Sequence, residues 1–171
     1  MTDQEEPKRQ IGGILALVAI FGVSIASVFG GEIFRPDETE NRAPGLRVQN
    51  ASGRPVRLNQ GDLPTVLLLT DDGCGTCAAS AAVVERSAKR WAGKVSFVVV
   101  HAGAQPPETE VAEVALDDEA ATLTAYSAKE TPTVVLVTAS GDILGKRSGP
   151  LNNETLERQI RALIAEGPKR P

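Results

Sequence analysis

The chain is poor in the residues that hold metals and nucleic acids. Among its 171 residues it has two cysteines, one histidine and one methionine. A structural zinc site takes four Cys or His ligands, and only three such residues exist here. Aromatic residues are 4% of the sequence, so a core must be built from Val, Leu, Ile and Ala. Basic charge is not in excess: the formal net charge is −4, and no stretch interleaves Lys and Arg with aromatics. Nucleic acid is therefore excluded as a partner, because neutralising phosphates needs a cationic surface. The sequence shows no internal repeat and no low-complexity tract. What remains is an apolar, aliphatic chain of a length that fits one domain plus a tail.

The longest uncharged run is Ile11 to Gly31, whose polar members are Ser24 and Ser27. At about 1.5 Å per residue it is long enough to cross a bilayer core of about 30 Å. It is read as a transmembrane anchor. The alternative, a cleaved signal peptide, has a shorter apolar core, although Ser24 and Ala26 offer a small-x-small cleavage site. No cysteine follows the run directly, which excludes a lipoprotein anchor. Lys8 and Arg9 favour a cytoplasmic residue 1–10 segment and an extracytoplasmic C-terminal part. Residues 32–43 read as a polar linker, 44–167 as a folded domain and 168–171 as a tail.

Within the domain, Leu46 and Val48, a turn at Asn50 to Gly53, and Val56 and Leu58 predict a β-hairpin. Thr65 to Thr70 is an unbroken apolar run of the kind that suits a strand buried on both faces. A helix is expected from about Cys74 to Ala92, with Ala78, Ala81, Val84, Ala88 and Trp91 on its apolar stripe and Glu85–Lys89 paired on the other face. Val95 to Val100 is a second buried strand and Val111 to Leu116 a short third one. A short helix follows over 117–126, with Asp117 or Asp118 as its cap. Thr133 to Val137 and the residues from Ile143 form strands around a turn at Ser140-Gly141-Asp142. Asn152 or Asn153 caps a last helix through Ile164, with Leu156, Ile160, Leu163 and Ile164 buried. The fold class is α/β: a mixed sheet, parallel early and antiparallel late, flanked by helices.

The two cysteines form a Cys74-Gly75-Thr76-Cys77 motif where a strand ends and a helix begins. The first helical N–H groups lack internal partners and the helix dipole adds positive potential, so a thiolate at Cys74 is stabilised. Cys77 lies within reach to close a disulfide. This supplies an attacking and a resolving thiol. Three other readings stand beside it. A structural disulfide closing so short a loop stabilises by only about 2 kcal/mol, against about 5 for a 100-residue loop. A copper carrier needs fewer ligands than zinc and could enlist His101. Two inert thiols are the third. His101 is read as a strand-end residue facing solvent rather than a ligand or proton carrier, and Trp91 as a core residue. Asp71 and Asp72 are turn residues whose charge, close to Cys74, opposes thiolate formation.

The C-x-x-C at a strand-to-helix junction, Thr131-Pro132-Thr133 leading into a strand, and the turn at Gly141 together resemble the thioredoxin superfamily. With the anchor and the preceding hairpin they are similar to membrane-tethered TlpA/ResA-like thiol–disulfide oxidoreductases, over roughly Pro44 to Ile164. The resemblance implies that Cys74 is the nucleophile and Cys77 the resolving thiol. It implies that Thr131–Pro132 is a cis peptide beside the disulfide, with the Thr131 backbone pairing with substrate. It further implies protein thiol and disulfide substrates. As the only cysteines, the two need an extracytoplasmic or membrane redox partner to recharge them, and the exchange needs no organic cofactor or metal. The competing functions are a non-enzymatic copper carrier and a thioredoxin fold used only for protein binding. The sequence departs from the family at Thr70-Asp71-Asp72-Gly73, which replaces an aromatic-rich stretch. Gly75-Thr76 replaces a dipeptide often ending in Pro, and Thr76 so adds an N–H near the sulfur. Ser80 and Ala82 replace a frequent acid and proline, and Leu68 replaces the buried acid of thioredoxin. The family's proton-transfer groups are not carried over to this chain.

Overall fold

The structure is a computed structural model, and it describes residues 41–45, 47–58, 62–117 and 120–167. The expected anchor at 11–31, its flanks through residue 40 and the 168–171 tail lie outside the described residues. Among those residues no helix is long and apolar enough to cross a membrane.

The predicted hairpin forms as β1 (Arg47–Gln49) and β2 (Pro55–Arg57), antiparallel, with Val48 opposite Val56. The Asn50 side chain builds its turn by accepting from the N–H groups of Ser52 and Arg54. The apolar runs become β3 (Thr65–Asp71), β4 (Ser96–Ala102) and β6 (Thr133–Val137). β5 (Glu113–Leu116) and β7 (Ile143–Ser148) complete the set. The sheet runs β2-β1-β5-β4-β3-β6-β7. β3–β4 and β4–β5 pair in parallel, whereas β2–β1, β1–β5, β3–β6 and β6–β7 pair antiparallel.

The side-chain alternation of β3 sorts the core into two faces. Val66 and Leu68 pack with Val84 and Ala88 of α1 (Cys77–Arg90) and with Leu156, Ile160 and Leu163 of α3 (Asn153–Glu166). Leu67 and Leu69 pack on the other side with Val56 and Leu58 of the hairpin region and Tyr126, which follows α2 (Ala121–Ala125). Asn152 caps α3 by accepting from the Thr155 N–H, as its sequence signal predicts. The Asp117 carboxylate accepts from the N–H groups of Ala121 and Thr122 and so starts α2.

Helix α1 begins at Cys77 rather than near Cys74, because Cys74 to Thr76 form a turn with the Cys77 N–H directed at the Cys74 carbonyl. Ala78 of the expected stripe is consequently exposed, before the buried face begins at Ser80 and Ala81. Asn41 to Ala43, at the end of the stretch read as linker, run beside the start of β7. The Ile143 N–H donates to the Asn41 carbonyl and the Ala43 N–H to that of Gly141.

Candidate active site

β3 lies inside the sheet and ends at Asp71, with β4 on one side and β6 on the other. Parallel pairing to β4 sets Thr70 opposite His101, and antiparallel pairing to β6 sets Leu69 opposite Thr133. The ends of three strands therefore converge on the segment Asp71 to Cys74.

Cys74 and Cys77 are joined by a disulfide, with an S–S distance of 2.07 Å. Cys74 is half-buried on the turn, whereas Cys77 is 5% exposed at the start of α1. Gly75 and Thr76 are both exposed. Thr76 is the N-cap residue of α1 but its side chain makes no capping hydrogen bond, and no acidic residue occupies the first turn. The positive end of the helix is thus offset by neither, and it favours an anion forming at the turn. The last turn carries Lys89 and Arg90, the favourable polarity for the opposite end.

The Thr131–Pro132 peptide is cis and leads into β6. Pro132 is buried and Thr131 half-buried. The Thr131 hydroxyl donates to the Asp71 carboxylate at 2.8 Å, and the Cys74 N–H is directed at the Asp71 carbonyl at 3.4 Å. Asp71 thereby links the loop before β6 to Cys74, the less buried cysteine of the pair. Asp72 turns the other way. Its carboxylate accepts from the N–H groups of Ala104 and Gln105, at 3.0 and 3.1 Å, and lies 2.8 Å from His101 Nε2. The Ala104 N–H, the imidazole and the Gln105 N–H hold this carboxyl below the usual range. Gly103 makes the approach possible: its φ of +147° favours glycine, and a side chain there would collide with the Asp72 carboxylate.

His101 does not face solvent, as its strand-end position had suggested. It is 2% exposed, with Nδ1 3.0 Å from the Thr70 hydroxyl and Nε2 on Asp72. Its partners lie on β3 and in the turn after it, about 30 residues away in the chain, so local pattern gave no hint of this. Among the described residues no three His, Cys, Asp or Glu side chains are grouped to hold a metal. Trp91 packs against the core at the end of α1, as expected, and its indole N–H donates to the Glu157 carboxylate. Ser80, where the family often has an acid, is buried and its hydroxyl accepts from the Leu151 N–H.

A parallel β3-α1-β4 unit, an antiparallel β6-β7 pair, a C-x-x-C at the start of α1 and a cis X-Pro before β6 make one recognisable arrangement. Solved structures share the fold. The DsbE-named thiol:disulfide interchange structure from Chlorobium tepidum superposes with a TM-score of 0.64 at 24% identity, covering 72% of this chain and 96% of that one. This is a thioredoxin fold. The dsbF structure of MTB (TM-score 0.63, 19% identity, 71% of this chain and 98% of that one) has the same fold. So does StoA of Bacillus subtilis (0.58, 15% identity, 70% and 98%). No protein-family model and no curated protein sequence matches the chain. At these identities the likeness establishes the thioredoxin fold, and the chemistry rests on the residues of this chain.

Proposed function

We propose that the chain is a thiol–disulfide oxidoreductase acting on protein thiols and disulfides through Cys74 and Cys77. In this reading residues 11–31 tether it to a membrane, with the thioredoxin-fold domain on the extracytoplasmic side. The observation that carries the chemical part is the asymmetry of the bonded pair: one sulfur on a half-buried turn, the other buried at the head of a helix. An exchange enzyme needs that difference, because the substrate must reach one thiol while the other is kept for the internal attack. Two similar structures from Chlorobium tepidum are thiol:disulfide interchange proteins by name, which agrees with this chemistry. The length of the uncharged 11–31 run supports the tether.

In the reducing direction, the Cys74 thiolate attacks one sulfur of a substrate disulfide. A Cys74–substrate bond forms, the substrate S–S bond breaks, and the displaced thiolate takes a proton from solvent. Cys77 then gives up its proton and attacks the Cys74 sulfur. The internal disulfide forms, the mixed disulfide breaks, and the second substrate thiol leaves protonated. Two electrons and two protons have passed to the substrate. The oxidising direction is the same path reversed. Thr131 and Pro132 flank the site through Asp71, so the free backbone of Thr131 is the candidate pairing edge for the substrate chain. The sequence has no third cysteine, so a separate dithiol or disulfide partner must restore the starting state.

The test is to trap the intermediate. Cys77→Ser in the reduced full chain, mixed with a disulfide-bearing protein, is expected to accumulate a mixed disulfide on a non-reducing gel. Cys74→Ser should accumulate none. Absence of an adduct with Cys77→Ser, while a small alkylating agent still labels Cys74, would overturn the proposal.

A further inference from the structure

Thr70, Asp72 and His101 form a polar chain at the end of β3, two residues before Cys74, that the exchange chemistry does not use. His101 is 2% exposed and its two ring nitrogens are both engaged, Nε2 with Asp72 and Nδ1 with Thr70. The Thr70 oxygen also lies 3.2 Å from the Val100 carbonyl, in a donating geometry. Asp72 is an ionised carboxylate with no proton to give, so Nε2 must carry a hydrogen and donate to it. That leaves two arrangements for Nδ1. With neutral imidazole, the Thr70 hydroxyl donates to Nδ1 and leaves the Val100 carbonyl. With imidazolium, Nδ1–H donates to the Thr70 oxygen, whose own hydrogen turns to the Val100 carbonyl. Rotation of one hydroxyl therefore satisfies both charge states without moving a heavy atom.

The surroundings concentrate the effect on Asp72. On β5, the residue opposite His101 is the apolar Leu116. The next residue, Asp117, bonds the His101 carbonyl through its N–H but turns its carboxylate to Ala121 and Thr122. On β3, the Asp71 carboxylate is turned to Thr131. Among the described residues Asp72 is thus the charged group hydrogen-bonded to the ring, and it stands two residues before Cys74.

We propose that His101 is a positioning residue whose protonation cancels the Asp72 charge and thereby sets how readily Cys74 forms its thiolate. Resting on the thiol reading above, this makes reactivity at Cys74 depend on a second titrating group. With imidazolium the pair is neutral overall and the thiolate is favoured. With neutral imidazole a net negative charge stands near Cys74 and opposes it. Two residues of chain keep the Asp72 and Cys74 Cα atoms within about 7 Å, and one charge acting over about 7–10 Å in water-like surroundings changes the thiolate population about two- to threefold.

The experiment is the rate of iodoacetamide alkylation of Cys74 against pH in the reduced full chain in detergent, for wild type and His101→Gln. Glutamine keeps an N–H for Asp72 and cannot become charged. The wild type is expected to alkylate about two- to threefold faster than His101→Gln at the acid end, with the two rates converging as pH rises. Asp72→Asn, which removes the carboxylate charge and keeps an acceptor, is expected to exceed wild type by up to about threefold between the acid end and the plateau at which Cys74 is fully ionised, where all rates meet, and provides the test if His101→Gln does not fold. A wild-type to His101→Gln ratio that stays constant across pH, or Asp72→Asn following the wild-type rate at every pH below the plateau, overturns the proposal. Alkylation involves no protein substrate, so the outcome stands apart from whether the chain exchanges disulfides.

Discussion

Glu157 is the one acid on α3 that is buried, at 6% exposed, and it ties the last turn of α1 to α3. Its carboxylate accepts from the Trp91 indole N–H at 3.2 Å and from the Ser87 hydroxyl at 3.4 Å, with the Arg90 guanidinium 3.6 Å away. Glu157→Ala removes the acceptor and leaves its partners behind. Ser87 is fully buried, so its orphaned hydroxyl costs about 1–2 kcal/mol, and the half-buried indole N–H adds about 1. The Arg90 side chain is 64% exposed, so its ion pair adds little. The expected loss is about 2–3 kcal/mol, which for a unit of this size lowers the melting temperature by roughly 10 °C. Glu157→Gln keeps an acceptor and should lose less than half of that. The assay is thermal unfolding of the oxidised full chain followed by circular dichroism. A Glu157→Ala variant melting within about 1 °C of wild type would refute the claim that this carboxylate holds the two helices together. Equal loss in Glu157→Gln and Glu157→Ala would show that charge, not the acceptor geometry, is what matters.

The single tyrosine gives a clean titration. Burial pushes the Tyr126 phenol up to about 12, and its hydroxyl donates to the Pro44 carbonyl. Folded protein should show no tyrosinate absorbance at pH 10.5. Because the folded value is raised, the associated stability is complete below the unfolded value of about 10 and is lost as pH rises from there through about 12. Half-ionisation near pH 10 in the folded chain would contradict the burial. Thr76→Pro deletes the N–H that precedes α1 beside the sulfur, so the Cys74 thiolate should be less stabilised. Thiolate absorbance against pH should shift upward, and an unchanged or downward shift counts against a role for that N–H.

The β-strands were legible because their signals are local. Thr65 to Thr70 and Thr133 to Val137 are continuous apolar runs, and both became strands buried on two faces. The hairpin was legible from Asn50 and its alternating flanks, and the dithiol from its spacing alone. What stayed hidden depends on partners far apart in the chain. Asp72 and His101 are 29 residues apart, and only the parallel β3–β4 register and the returning loop bring them together. Glu157 follows Leu156 on the buried stripe, but an acid there reads as solvated until Trp91, 66 residues away, supplies its donor. The start of α1 was placed early because Cys74 to Thr76 has no residue that forbids a helix, and the turn that holds Cys74 back is made by backbone hydrogen bonds.

The most direct test of the central claim is the redox equilibrium of Cys74 and Cys77 in the full chain, read by equilibration with graded glutathione or dithiothreitol buffers. The account predicts a reversible two-electron couple. A potential near about −270 mV would mark a reductant like thioredoxin, and one near about −120 mV an oxidant like DsbA. Absence of any reversible couple would contradict the account, because a pair that cannot cycle between dithiol and disulfide cannot perform the exchange proposed for it.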